Sequence, residues 1–152
     1  NESIVFAVGN NQTRRFLAKK YPLSATKALV HATAVVSQYS EIQGGTVVMA
    51  NVVVNSSSHI GKHCILNTGS IIEHDVQISD FAHISPGAVI TGGVEIGEGT
   101  QVGAGASVIP GVKIGRWVTI GAGSVIIEDV PDYAVVVGNP GRVIKYNKIK
   151  NE

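Results

Sequence analysis

One rule governs the middle of this chain. From Val30 onward every sixth residue is aliphatic, through Val36, Ile42 and Val48 to Ile126. Four residues after each stands a side chain no larger than valine, from Ala34 and Ser40 to Ser124 and Val130. Seventeen consecutive hexads keep the rule without an insertion. An amphipathic α-helix repeats at about 3.6 residues and a half-buried strand at about 2, so neither produces this period. A hexapeptide repeat is the mark of a parallel β-helix, in which each short strand buries one aliphatic side chain before the chain turns a corner. Three hexads close one triangular coil. Residues eighteen apart therefore stack on the same face, and sequence distance converts into spatial neighbourhood.

Composition fits a thin, aliphatic solenoid. Glycine is abundant at 18 residues and aromatics are sparse at 5%, which suits tight corners around an Ile/Val interior. The formal net charge of +1 contains no basic block, so neither nucleic acid nor a membrane surface is the expected partner. The chain has no signal-peptide pattern and no apolar run of about 18 residues, so a soluble protein without membrane insertion is expected. Cys64 is the only cysteine and occupies a small-residue position of a hexad. It reads as a buried structural thiol, and a chain without an intrachain disulfide is compatible with a reducing cytoplasm.

Residues 1–29 lie outside the hexad pattern. Ser3 to Val8 reads as a buried strand, Gly9-Asn10-Asn11 as a turn, and Gln12 to Lys20 as a short helix ended by Tyr21-Pro22. One strand and one helix cannot bury a core of their own. They read as the end of a βα domain whose earlier part is missing, in keeping with the absence of an initiator Met. Asn10, Asn11 and Arg14 sit where a strand-to-helix turn presents N–H groups and a cation to an anion; the alternative is an ordinary solvated turn. Residues 30–131 form the β-helix and 132–152 a C-terminal segment.

The five histidines are the candidates for proton transfer near neutral pH. His31 lies at the entry to the coils, and His59 and His63 flank a corner where solvation is the simpler role. His74 differs, because Glu73 and Asp75 stand on either side of it and a carboxylate orients an imidazole and stabilises its cation. The stacking rule puts Gly92 one coil above His74 and Ser56 one coil below. Gly92-Gly93 interrupts the side-chain ladder and bares backbone N–H groups near the ring. A base beside an exposed N–H donor is the arrangement acyl transfer needs. His83 lies one and a half hexads further on, on another side of its coil, so the two histidines meet only if a second subunit brings them together. Three-sided prisms of this kind usually assemble as trimers, which makes an intersubunit site the expectation.

Asn67-Thr68-Gly69-Ser70-Ile71-Ile72-Glu73-His74-Asp75, Ala82-His83-Ile84-Ser85-Pro86-Gly87-Ala88 and Gly138-Asn139-Pro140-Gly141-Arg142, together with the hexads, resemble the left-handed β-helix acetyltransferases of bacterial sugar biosynthesis. The resemblance is to the nucleotide-amino-sugar N-acetyltransferases of bacillosamine synthesis, which act on UDP-4-amino sugars, and to the related sialic acid O-acetyltransferases. It extends to Ala7-Val8-Gly9-Asn10-Asn11, which matches the last part of that family's small Rossmann-like N-terminal domain. The domain's Gly-rich opening, which carries much of the nucleotide-sugar site, has no counterpart here.

The resemblance implies an all-β, left-handed parallel β-helix and a homotrimer that transfers acetyl from acetyl-CoA to a sugar in the cytoplasm, with no metal. His74 would be the general base, assisted by Asp75. Asn67 would shape the acceptor pocket, with Asn10, Asn11 and Arg14 as further acceptor-side candidates. His83 and the Gly92 N–H would lie at the thioester, and pantetheine would run along Gly103-Ala104 and Gly121-Ala122. Arg142, with Arg116 and Lys145, would be available to the CoA phosphates. No Ser or Cys is placed for an acyl-enzyme, so attack would be direct. A trimeric zinc hydratase of the γ-carbonic-anhydrase type shares this architecture but needs three converging histidines, and the spacings here do not resemble its own. A non-catalytic scaffold is the remaining alternative.

Overall fold

A computed structural model describes residues 5–21 and 27–148. The expected coils are present without interruption: seventeen two-residue strands follow one another at six-residue spacing. They sort onto three faces. The first carries β1 (Leu29–Val30), β4 (Val47–Val48), β7 (Ile65–Leu66), β10 (His83–Ile84), β13 (Gln101–Val102) and β16 (Thr119–Ile120). The second carries β2 (Val35–Val36), β5 (Val53–Val54), β8 (Ile71–Ile72), β11 (Val89–Ile90), β14 (Ser107–Val108) and β17 (Val125–Ile126). The third carries β3 (Glu41–Ile42), β6 (His59–Ile60), β9 (Gln77–Ile78), β12 (Glu95–Ile96) and β15 (Lys113–Ile114). All pairing among these strands is parallel, and each residue pairs with those eighteen before and after it, as His83 does with Ile65 and Gln101.

In every strand the second residue points inward and the first outward. Ile60, Leu66, Ile72, Ile84, Ile90 and Ile96 are essentially inaccessible, each contributing on the order of 1.5–3 kcal/mol of apolar burial. Val30 is 45% exposed and Val36 and Ile42 only partly buried, because a solenoid's first coil has a neighbour on one side only. The small residue of the hexad also points inward, at the corner, where a hydroxyl can satisfy the turning backbone. Ser58 Oγ donates to the Glu73 carbonyl at 2.6 Å and accepts from the Val76 N–H at 3.2 Å. Thr100 Oγ1 does the same with Gly115 and Val118, at 2.7 and 3.1 Å.

The corner itself turns on the residue before the small one, held at positive φ from Gly45 to Gly123. Glycine adopts that conformation freely, and Asp and Asn adopt it more readily than other residues. Beyond the last hexad the stack continues. β18 (Ala134–Val137) adds a parallel rung to the first face, with Val135 opposite Thr119, and β19 (Arg142–Tyr146) returns antiparallel at its edge.

The N-terminal expectation is partly corrected. Residues 5–8 form no strand, since among the described residues no strand lies beside them to complete a ladder; Ser3 and Ile4 lie outside the described residues. The helix is there as α1 (Asn11–Lys20), with Asn10 as its N-cap accepting from Thr13 N–H at 2.9 Å. Tyr21 closes it through its N–H to the Leu17 carbonyl, and Pro22 lies outside the described residues.

Candidate functional site

His74 sits at the corner between the second and third faces. Two backbone bonds pin it there: Gly93 N–H donates to the His74 carbonyl at 3.0 Å, and Asp75 N–H to the Ser56 carbonyl at 3.1 Å. Asp75 is the corner residue at φ 60°. Its carboxylate comes back onto the imidazole, with Oδ2 2.8 Å from Nδ1. An Nδ1–H held by a carboxylate leaves Nε2 as the unprotonated, outward acceptor, which is the tautomer a general base requires. The ring lies over Gly92 as the stacking rule predicts. A Cβ there would come within 2.6 Å of Cε1 and 2.8 Å of Nε2, so only glycine leaves room for this ring position. Among the described residues the Gly92 N–H has no hydrogen-bond acceptor.

A second group gathers at the corner between the first and second faces. Asn67, Gly103 and Gly121 stack there in successive or alternate coils, with Ala104 and Ala122 beside them. Gly69, Gly87, Gly105 and Gly123 run up the same corner at positive φ, each with open space where a Cβ would stand. The corner is thus a bare backbone groove. His83, at the start of β10, reaches it from the first face, and its Nε2 lies 3.1 Å from Asn67 Nδ2. Burial, and then the Arg14 charge, hold the His83 ring below the usual histidine range. The Asn67–His83 pairing is absent from the sequence expectations. The eighteen-residue ruler contained it, since Ser85 stacks on Asn67 and His83 is only two residues before Ser85.

The expectation for Asn11 and Arg14 as anion-binding groups needs correction. Both are buried, at 7% and 1% exposure. The Arg14 guanidinium spends its donors on the chain itself: Nε on the His63 carbonyl (2.7 Å), Nη1 on those of Val8 and Gly9 (2.8 and 3.3 Å), Nη2 on Asn11 Oδ1 and the Phe81 carbonyl (both 2.8 Å). No N–H remains for a ligand. Asn11 Nδ2 donates to the Gly99 carbonyl at 3.0 Å. Asn10 stays exposed, but its side-chain oxygen is committed to the helix cap.

The cations suggested for phosphates are exposed. Arg142 Nη1 lies 3.3 Å from Glu128 and Arg116 Nε 3.0 Å from Asp132, while Lys145 stands on β19. Arg116 is on the corner between the third and first faces, away from the glycine groove. Gly141 is packed so closely that a Cβ would meet Ile126 Cδ1 at 2.8 Å. Cys64 is no nucleophile: burial pushes its thiol up to about 12, and Sγ donates to the Ser79 carbonyl at 3.2 Å. Among the described residues no group of three or more His, Cys, Asp or Glu could hold a metal ion, and no helix is long and apolar enough to cross a membrane.

Neither group of residues is enclosed in the single chain. Two cavities lie elsewhere, one of about 840 Å³ between α1 and the first face near Trp117 and another of about 540 Å³ on the third face around Glu95 and Lys113. Between the two corners runs the outer ladder of the second face: Val35, Val53, Ile71, Val89, Ser107 and Val125. The corresponding ladder of the third face reads Glu41, His59, Gln77, Glu95, Lys113. One face is therefore apolar but for Ser107, and the next polar and mostly charged.

A profile for bacterial transferase hexapeptide repeats (six repeats) matches residues 93–128. No curated protein matches the chain. Among solved structures, perosamine N-acetyltransferase from Caulobacter crescentus, in complex with CoA and GDP-perosamine, is 35% identical with a TM-score of 0.91. The match covers 95% of this chain and 70% of that one. That enzyme was crystallised with one histidine replaced by asparagine or by alanine. The acetyltransferase domain of PglB from Neisseria gonorrhoeae is 39% identical, with a TM-score of 0.91 over 93% of this chain and 70% of that one. It has also been solved with acetyl coenzyme A. WeeI from Acinetobacter baumannii is 27% identical, with a TM-score of 0.87 and coverage of 93% and 70%.

Proposed function

Because the chain belongs to the hexapeptide-repeat sugar N-acetyltransferases, acetyl-CoA-dependent enzymes built on a left-handed β-helix, we propose that it acetylates the amino group of a nucleotide-linked 4-amino-4,6-dideoxy sugar with His74 as general base. The observation that carries this reading is the His74 ring, oriented through Nδ1 by Asp75 at 2.8 Å and seated on Gly92 with Nε2 open. Nε2 takes the proton from the sugar amine as its nitrogen attacks the acetyl carbonyl. The unpartnered Gly92 N–H is the donor for the negative charge that develops on the carbonyl oxygen. The thiol of CoA then leaves, carrying the proton His74 has gained. The amine is N-acetylated in one displacement without an acyl-enzyme.

The active unit is a homotrimer. Its apolar second faces pack around the three-fold axis, so that the His74 corner of one subunit meets the groove corner of the next. Asn67, His83, Gly103, Ala104, Gly121 and Ala122 of the neighbour then complete the site, with acetyl-CoA lying along the groove and Arg142 available to its phosphates. Closed point-group symmetry gives three equivalent sites. The compartment proposed for the reaction is the cytoplasm, in keeping with acetyl-CoA as donor.

The test is release of the CoA thiol from acetyl-CoA against a panel of 4-amino nucleotide sugars, with sialic acid as the hydroxyl-bearing comparison. Turnover with an amino sugar is expected. Turnover with sialic acid alone would replace this reading by O-acetylation, and CoA binding without turnover on any acceptor would contradict it. Gly92→Ala is expected to lower kcat by roughly 10²-fold, since the added methyl displaces the His74 ring and small misplacements of a reacting group cost about that much. Steady-state kinetics with unchanged thermal unfolding checks it.

A further inference from the structure

The corner between the third and first faces carries a ladder of outward carbonyls. His63, Phe81, Gly99 and Trp117 stand eighteen residues apart, all at positive φ. Side chains from outside the β-helix occupy each of these carbonyls: Arg14 Nε at His63, Arg14 Nη2 at Phe81, Asn11 Nδ2 at Gly99, and Asn147 Nδ2 at Trp117. Helix α1 is thereby docked across three successive coils. Through Nη1 the same guanidinium holds the carbonyls of Val8 and Gly9. Phe81 and Ala82, which it touches through Nη2, are the two residues leading into His83.

The state of the His83 ring follows from its contacts. Asn67 Oδ1 accepts from the Thr68 N–H at 2.8 Å, which fixes the amide and turns Nδ2 toward His83 Nε2. Nε2 must then be an acceptor, and the neutral ring carries its proton on Nδ1, a buried atom with no completed hydrogen bond. The Gly9 backbone lies beside the ring as an acceptor that favours the charged form, and burial first and then the Arg14 charge outweigh it. One Asn67 N–H is thereby used on His83 and the other remains to donate to a ligand in the groove.

We propose that Arg14 is a positioning residue: by binding His63, Phe81 and Val8 at once it lays the 5–9 segment against His83, holds that ring in its pairing with Asn67, and so presents the second Asn67 N–H to the bound substrates. The proposal rests on the reading above in which Asn67 and His83 line the site. The physical ground is that Arg14 is buried with carbonyl and amide oxygens as its partners rather than a carboxylate, so its full positive charge acts on its surroundings. A second cation at His83 would sit against that charge. It would also place an N–H on Nε2, facing the Asn67 amide N–H, and break the pair. The ladder neighbours of His83, Ile65 and Gln101, are uncharged, and Arg14 on α1 is the charged group that acts on the ring.

Nitrogen-15 NMR of the histidine rings in the full chain tests this without substrate. In the native protein His83 is expected neutral, protonated on Nδ1, and still unprotonated at pH values where an ordinary histidine is half charged. An Nε2–H tautomer, or titration in the ordinary range, overturns the proposal even if every Arg14 variant fails to fold. Arg14→Met is expected to raise the His83 midpoint, because the repulsion from the Arg14 charge is removed while the ring stays buried. The acid limb of kcat/KM should move the same way, with KM affected more than kcat. Arg14→Lys, which keeps the charge, should hold the ring neutral near pH 7. A folded Arg14→Met protein with an unmoved His83 midpoint would reduce Arg14 to a structural tether. The NMR result is independent of turnover, so a failure of acetyl transfer and a failure of this inference are told apart.

Discussion

His74→Ala lowers kcat by roughly 10²–10⁴-fold, the range for loss of a positioned general base, while acetyl-CoA still binds. The His74 side chain is 62% exposed and belongs to no core cluster, so the variant keeps its coils and the loss is chemical. Donor binding survives because the groove proposed for the pantetheine is made by glycine and alanine backbone at another corner. Asp75→Asn should cost less, about 10²-fold, the lower end of the same base-catalysis range. Asparagine tolerates the φ of 60° at this corner, but a neutral amide orients the ring without stabilising its cation. Equilibrium binding of acetyl-CoA beside thiol-release kinetics separates these effects. A His74→Ala enzyme with near-normal kcat would remove the base from the mechanism.

Ile71→Arg is expected to abolish activity by an unrelated route. Ile71 is the outward residue of β8, central in the apolar ladder of the second face. In the proposed trimer three arginines would converge on the three-fold axis, each buried without a partner, a cost of several kcal/mol apiece. The variant should sediment as a monomer whose coils still unfold cooperatively, since its side chain leaves the interior layer of Ile72, Ile90 and Val54 untouched. It should show no turnover although His74, Asp75 and Gly92 are intact. A monomeric variant that kept activity would place the whole site in one chain.

The fold was legible because the hexad couples one inward aliphatic residue to one inward small one, and a single slip would turn the core outward. Placing Gly92 against His74 was legible for the same reason: a fixed coil length makes eighteen residues a distance. The docking of α1 was not, because Arg14 and Asn11 bind backbone carbonyls, and a carbonyl ladder leaves no trace in residue identities. In sequence an arginine in the first turn of a helix looks like an anion site; only the positions of His63, Phe81 and Val8 show its donors already used. The strand expected at Ser3 to Val8 failed over its described part for a related reason. Its apolar residues serve as packing against the coils, as Phe6 does against His63, and among the described residues no strand lies beside them.

The proposed site is divided between two subunits, and subunit mixing tests that division most directly. Trimers of His74→Ala and of Asn67→Ala chains are each expected to be impaired. If each site takes His74 from one chain and Asn67 from its neighbour, unfolding and reassembling an equal mixture should restore about a quarter of the wild-type sites, the fraction set by random assortment in a cyclic trimer. Recovery of acetyl transfer toward that level is the predicted result. Activity that stays at the average of the two parent variants would contradict the shared site.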